Sequence, residues 1–295
     1  MRRVLWGTAA CLFLAVGGSS IAADVKGPPV APAPAPISWT GFYLGINGGF
    51  GVSRNNVTEI PIDPATTFPV GAGHLIVDPV SARVDPGGLV GGLQLGYNWH
   101  FAPTWLLGLE ADIQGADIKD SVTAPVNMAN FHPLFGNFSA TQKIDWFGTV
   151  RGRLGYFLHP DLMVYATGGL AYGQVKESAN LSLSFQNTAI AFGVGGFSFA
   201  CVNAPVGPPP FAGGPVCFDG SHSRTSVGWT AGAGTEFRLT QNMTAKVEYL
   251  YVNLGNENFN IPAVTLLGPG NASILRVSFD DAAFHLFRGG LNWRF

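Results

Sequence analysis

Ten ionisable side chains stand out by their phase. His100, Glu110, Asp112, Arg151, Arg153, Glu236, Arg238, Lys246, Glu248 and Arg288 each lie on the opposite parity from large apolar neighbours in segments that alternate with period two. In strands that phase gathers them on one face. Acids and bases in similar number on one enclosed face can neutralise each other as a salt-bridge network or line a water-filled path. Buried charge is costly unless paired, so the spacing favours a network that plugs a lumen over a path for solute. Catalysis would need a histidine, a nucleophile and an orienting acid close together. His100, His159 and His285 fall on different segments or ends, and Ser221-His222-Ser223 has no acid at a diagnostic spacing. No catalytic residue is expected, and the chain reads as a non-enzyme. His74, His132 and His222 are too scattered for a metal, and nothing calls for a cofactor. Cys201 and Cys217 flank a Pro- and Gly-rich stretch, which suits a disulfide-stapled loop after export, with two free thiols as the alternative.

Eight segments must position those charges. The first sets Phe42, Leu44, Ile46, Phe50 and Val52 against Tyr43, Gly45, Asn47, Gly49 and Ser53. The second sets Leu89, Leu93, Leu95, Tyr97, Trp99 and Phe101 against Gln94, Gly96, Asn98 and His100, and the third Trp105, Leu107, Leu109 and Ile113 against Glu110, Asp112 and Gln114. The fourth places Ile144, Trp146, Val150, Leu154 and Tyr156 opposite Lys143, Asp145, Thr149, Arg151 and Arg153. The fifth, Leu162 to Gly173, alternates most weakly. The last three carry Val227 to Leu239, Ala245 to Tyr251 and Phe287 to Phe295, with every strong charge opposite the apolar side.

Joins at 102–104, 159–161 and 240–242 are tight turns, while 54–86, 115–142, 174–225 and 256–280 read as long loops. Alternating short and long joins predict an all-β, eight-stranded antiparallel up-and-down transmembrane barrel with short periplasmic turns and long extracellular loops. Both termini are then periplasmic. Composition agrees: charged residues are 12% and hydrophobic ones 47%, against about 25% charged in soluble domains. Beyond the first two dozen positions no run is long enough for a membrane helix. A soluble β-sandwich would put its charges on the outer face.

The N-terminus has the form of an export signal over residues 1–23: Arg2 and Arg3, an apolar run from Val4 to Val16, and small residues with cleavage expected after Ala22 or Ala23. Its loss takes the formal charge from -2 to -4, and no basic patch suggests nucleic acid. Residues 24–37 read as a Pro-rich periplasmic tether, and 38–295 as the barrel. No wall-binding domain is expected after the eighth segment. Arg288, Gly290, Trp293 and Phe295 follow the polar, glycine, aromatic, aromatic spacing of an assembly signal, so the outer-membrane assembly machinery is an expected partner beside outer-membrane lipid and lipopolysaccharide.

WTGFYLGINGGFG at 39–51, DWFGTVRGRLGYF at 145–157, MVYATGGLAYG at 163–173, GWTAGAGTEF at 228–237, KVEYLYVNLG at 246–255 and HLFRGGLNWRF at 285–295 resemble the outer-membrane immunogenic, small porin-like barrel proteins of alphaproteobacteria. The resemblance covers nearly all strands and fails in the loops. It implies an abundant, surface-exposed, antigen-like outer-membrane protein of the cell envelope. Passage of small hydrophilic solutes is one alternative. Adhesion to host or ligand through the third loop, which carries Phe185, Phe192, Phe197, Phe199, Phe211 and Phe218, is another.

Overall fold

The computed structural model describes residues 38–61, 68–70, 73–75, 80–127, 135–184, 191–194, 197–200, 216–262, 265–266 and 274–295. The expected export signal and tether lie outside these, as do Cys201, His132, Phe185 and Phe211. The side chains of His74, Cys217, Phe192, Phe197 and Phe199 also lie outside the description. The expected Cys201–Cys217 pairing and most of the aromatic third loop thus fall outside the described residues.

Eight strands close into a barrel. They are β1 (Gly41–Val52), β2 (Gly87–Ala102), β3 (Trp105–Asn127), β4 (Phe135–His159), β5 (Leu162–Ser184), β6 (Val216–Arg238), β7 (Met243–Asn253) and β8 (Ala283–Arg294). Each pairs antiparallel with its neighbours in the chain, and β8 closes on β1 with Leu44 opposite Trp293 and Phe50 opposite Phe287. The wall is an up-and-down meander with no free edge. The alternation decides which side faces outward: Leu89, Leu109, Leu170, Val227 and Phe287 are exposed, while Tyr43, Gln94, Glu110, Thr149 and Lys246 are buried. A ring of exposed aromatics, Trp99, Phe101, Trp105, Tyr156, Phe237 and Trp293, girdles the short-turn end, the pattern of a membrane interface.

Two expectations need correction. The segments 115–142 and 174–225 are not mainly loop. β3, β5 and β6 run for 23 residues and β4 for 25, whereas about 9–11 tilted residues cross a bilayer. Their outer halves alternate polar outside with apolar inside, as in Ser139–Ala140 and Asn180–Leu181, so they continue the wall through water. The second correction concerns Ile144, Lys143 and Asp145. The β3–β4 register slips between Gly115 and Ile118, and those of β4 with both neighbours slip between Ile144 and Trp146 or alongside it. These bulges reverse the phase, burying Ile144 and turning Lys143 and Asp145 outward.

On the other half of the ring the strands break instead of continuing. Asn55–Pro61, Val80–Val84, Glu257–Pro262 and Ile274–Phe279 form a separate four-stranded sheet above β1, β2, β7 and β8. Its side-by-side order repeats that of the four strands below. Gly220 of β6 has no room for a Cβ, which would lie 2.9 Å from Ile261, so this sheet packs against the extended wall.

Inside, the filling is layered. At the short-turn end Trp39, Leu106, Phe157, Met163 and Tyr165 form an apolar cap. Charged residues follow, then an apolar layer that includes Phe147, Leu250, Phe284 and Leu286. A polar tier of Asn55, Gln142 and Glu177 separates it from the core of the projecting part, around Val57, Phe138, Leu181, Val277 and Phe279.

Candidate functional site: the interior of the barrel

The charged layer is built by residues of β3, β4, β6, β7 and β8 whose phase directs them inward. Four cations, Arg151, Arg153, Lys246 and Arg288, meet four anions, Glu110, Asp112, Glu236 and Glu248, and all eight are buried. Arg151 holds Glu110 at 2.5 Å, Asp112 at 3.1 Å and Glu248 at 3.0 Å. Arg288 holds Asp112 at 2.8 Å and Glu248 at 2.6 Å. Lys246 Nζ donates to both oxygens of Glu110 at 2.8 Å. Arg153 pairs with Glu236 at 2.9 Å. Formal charge within the layer is zero, the condition under which buried ions are tolerable.

Neutral groups add hydrogen bonds to the network. Tyr43 donates to Glu110 at 2.6 Å and Tyr165 to Glu248 at 3.0 Å. The Arg153 guanidinium lies between their rings, 5.0 and 5.2 Å from the centroids, a cation–π sandwich. Thr149 donates to Asp112, and Thr244 and Asn292 to Glu236. Glycine makes room for the two rings: a Cβ at Gly96 would collide with Tyr43, and one at Gly234 would lie 2.6 Å from the Tyr165 hydroxyl oxygen. Tyr43 and Tyr165 carry no charge to mark them in the sequence, although both stand in phase with the network residues. That phase was the available signal.

Eight of the ten expected lumen charges thus meet in one layer, and two do not. Arg238 sits at the short-turn mouth, 4.6 Å above the Trp39 ring and 3.7 Å from Asp161. His100 is at the same end, half-exposed, its ring 4.8 Å from that of Phe157 and its Nε2 3.3 Å from the Pro103 carbonyl. Both come from strand ends, one apolar cap away from the charged layer. Arg294 joins Arg238 on Trp39 at 5.4 Å and bonds the Ser38 carbonyl, while Trp39 Nε1 donates to the Pro160 carbonyl at 3.0 Å. Trp39 thereby seats two arginines and ties the start of the barrel chain to a turn.

The remaining sequence candidates stay dispersed. His159 is at the short-turn end, His285 bonds Tyr249 at 2.7 Å on the outer surface, and His222 stacks on Phe259. Among the described residues no group of three or more His, Cys, Asp or Glu could hold a metal. Of the last-strand set, Arg288 is in the network, Gly290 packs beside Ile46 and Asn47, and Trp293 and Phe295 point outward.

A family model described as an outer membrane protein beta-barrel domain matches residues 28–295. The 31 kDa outer-membrane immunogenic protein of Brucella melitensis is 35% identical over 299 residues, covering 100% of both chains. The 22 kDa outer membrane protein of Rhizobium leguminosarum is 26% identical over 235 residues, covering 79% of this chain and 71% of the relative. Among solved structures, the outer membrane protease OmpT of Escherichia coli aligns with a TM-score of 0.41 at 10% identity, covering 86% of this chain and 97% of that one. That likeness is too loose to argue activity from. Closed antiparallel wall, lipid-facing apolar band and full-length relatives agree: the chain belongs to the outer membrane protein beta-barrel family and is an integral protein of the outer membrane.

Proposed function

We propose that this protein serves the outer membrane as a closed structural barrel presenting a surface to the outside, and that it neither conducts solute nor catalyses a reaction. The observation that carries this reading is the four-against-four charge layer, capped on one side by Trp39 and Phe157 and on the other by Phe147 and Phe284. An eight-stranded bore is just wide enough for side chains to fill, and here ions, tyrosines and apolar groups fill it in succession. Opening a path would require unpairing several buried ions at once, each break costing about 3–5 kcal/mol. Planar-bilayer recording of the refolded barrel tests the reading: silence or rare small openings are expected, and large stable steps that pass solute would overturn it.

The last strand supports a second, smaller assignment. Arg288, Gly290, Trp293 and Phe295 keep the spacing expected of a segment read by the assembly machinery, with both aromatics on the lipid side. Substituting Phe295 should lower the yield of folded barrel in the membrane. Unchanged yield and heat-modifiable mobility would remove that assignment.

A further inference from the structure

Lys143 and Asp145 face outward only because of the bulges described above. Direct alternation would have turned both into the bore. The slip buries Ile118 and Ile144, which are partners in register, at 0% and 3% exposure. It leaves three lysines outside on three adjacent strands at one height: Lys119 opposite Lys143, and Lys143 opposite Lys176. The row stops at Gly87 of β2 on one side and Ser223 of β6 on the other.

Like charges placed directly opposite destabilise a sheet, so this row needs an offset. Asp145 supplies part of it, 2.6 Å from Lys143 and 2.7 Å from Lys176, and Asp117 lies 3.5 Å from Lys119. Counted by contacts, three cations against two anions leave the row itself with an excess of positive charge, while the neighbouring Asp120 carboxylate accepts from the Asp85 N–H. Each ammonium has three donors, and one of them is spent on its carboxylate. The others point into solvent, since the three side chains keep 60%, 39% and 48% of their exposure.

The height of the row says what it faces. Directly below it on β4 and β5 are Trp146 and Tyr172, in edge contact at 6.2 Å, and then exposed Val150 and Leu170. Tryptophan and tyrosine mark the membrane–water boundary. The lysines therefore stand where lipid headgroups begin, with an apolar wall beneath them for acyl chains. A soluble anion would find the charges but have no use for that wall.

We propose that Lys119, Lys143 and Lys176 form a docking site for the phosphate groups of outer-leaflet lipid, Asp145 bridging two of the ammonium groups so that both are held beside one headgroup. The proposal rests on placement in the outer membrane and is independent of whether the lumen is sealed.

The test uses the full refolded chain in detergent micelles, with diphosphorylated lipid A as probe and its dephosphorylated form as control. Lipid retained on the folded barrel is counted by native mass spectrometry. The unaltered protein should retain the phosphorylated lipid about tenfold better than the control, equivalent to about 1.4 kcal/mol. The triple change K119Q/K143Q/K176Q should abolish the difference, while K119R/K143R/K176R keeps it. Heat-modifiable mobility identifies folded barrels, and the single change Lys143→Gln, expected to weaken retention, stands in if the triple variant does not fold. Equal retention of both lipids by the unaltered protein, equal retention by the glutamine and unaltered proteins, or displacement of the lipid by millimolar inorganic phosphate would each overturn the proposal.

Discussion

Arg151 and Glu248 stand 97 residues apart in sequence and on strands that are not neighbours, yet the Arg151 guanidinium reaches across the bore to the Glu248 carboxylate at 3.0 Å. β5 and β6 lie between them in the wall. The pair therefore braces the barrel through its interior, adding a connection that the hydrogen-bonded wall does not contain.

Arg151→Met should be strongly destabilising, because it strips partners from Glu110, Asp112 and Glu248 together. Breaking a buried pair costs about 3–5 kcal/mol. In a double-mutant cycle, adding Glu248→Gln should recover part of the loss. Denaturant unfolding of the refolded barrel in micelles gives both numbers, and a single variant as stable as the original would count against the bracing role.

Phe284 is fully buried in the apolar layer, with its ring edge-on to Phe147 at 5.1 Å. Phe284→Ala should cost about 3–5 kcal/mol through lost contacts and a cavity. Phe287, three residues along, faces outward, and Phe287→Ala in micelles should cost clearly less. Equal losses at the two sites would contradict the assigned faces.

Leu109 is 66% exposed on the outward side of β3, next to Glu110 of the network. Leu109→Arg should be destabilising by about 2–4 kcal/mol in a bilayer if this level is the membrane midplane, whereas Leu158→Arg at the short-turn rim should cost about 0–1 kcal/mol. Refolding titrations into vesicles read the difference. A reversed order would misplace the membrane.

Glu59 lies in the projecting sheet, fully buried between Val80 and Val277, and neither carboxylate oxygen has a hydrogen-bond partner among the described residues. Burial pushes its pKa up to about 8. Because the folded value is raised, the folded protein holds a proton that the unfolded chain releases near pH 4.5. The stabilising contribution is present below that point and is lost as pH rises through about 8. Hydrogen exchange in Asn55–Pro61 and Ile274–Phe279 should accelerate between pH 6 and pH 9 beyond the intrinsic rate. Glu59→Gln should remove the extra acceleration, and an unchanged pH profile in that variant would eliminate Glu59 as its source.

The membrane wall was legible because lipid enforces a strict rule: Leu93, Leu95 and Tyr97 must alternate with Gln94, Gly96 and Asn98, and any lapse is visible. The projecting wall was not. There water replaces lipid, so the outward positions of β3 and β4 carry hydroxyl pairs, Ser121 with Thr141 at 2.8 Å and Thr123 with Ser139 at 2.9 Å. Serine and threonine between alanines resemble loop composition, although Ala140, Ala179 and Leu181 keep the beat on the inside. The bulges beside Ile118 and Ile144 were hidden for another reason. A one-residue slip leaves no mark in composition, and only the pairing partner reveals it. Within the interior, charge and phase together pointed to eight residues of the network, but distance from the strand end, which removes His100 and Arg238, depends on stagger that no local pattern encodes.

The half-wall above β1, β2, β7 and β8 meets the membrane barrel along a single seam, near Ser53, Pro86, Leu254 and Ala282, while β3 to β6 pass the same height unbroken. Register is inherited across a continuous strand but not across a break. Insertions or deletions in the jointed half can therefore be absorbed at the seam without shifting any residue that faces lipid or bears charge in the bore. The same change in the unbroken half would slide a strand against both neighbours. The molecule thus has one side free to vary and one side obliged to stay in step, and variation between related chains should be concentrated on the jointed side.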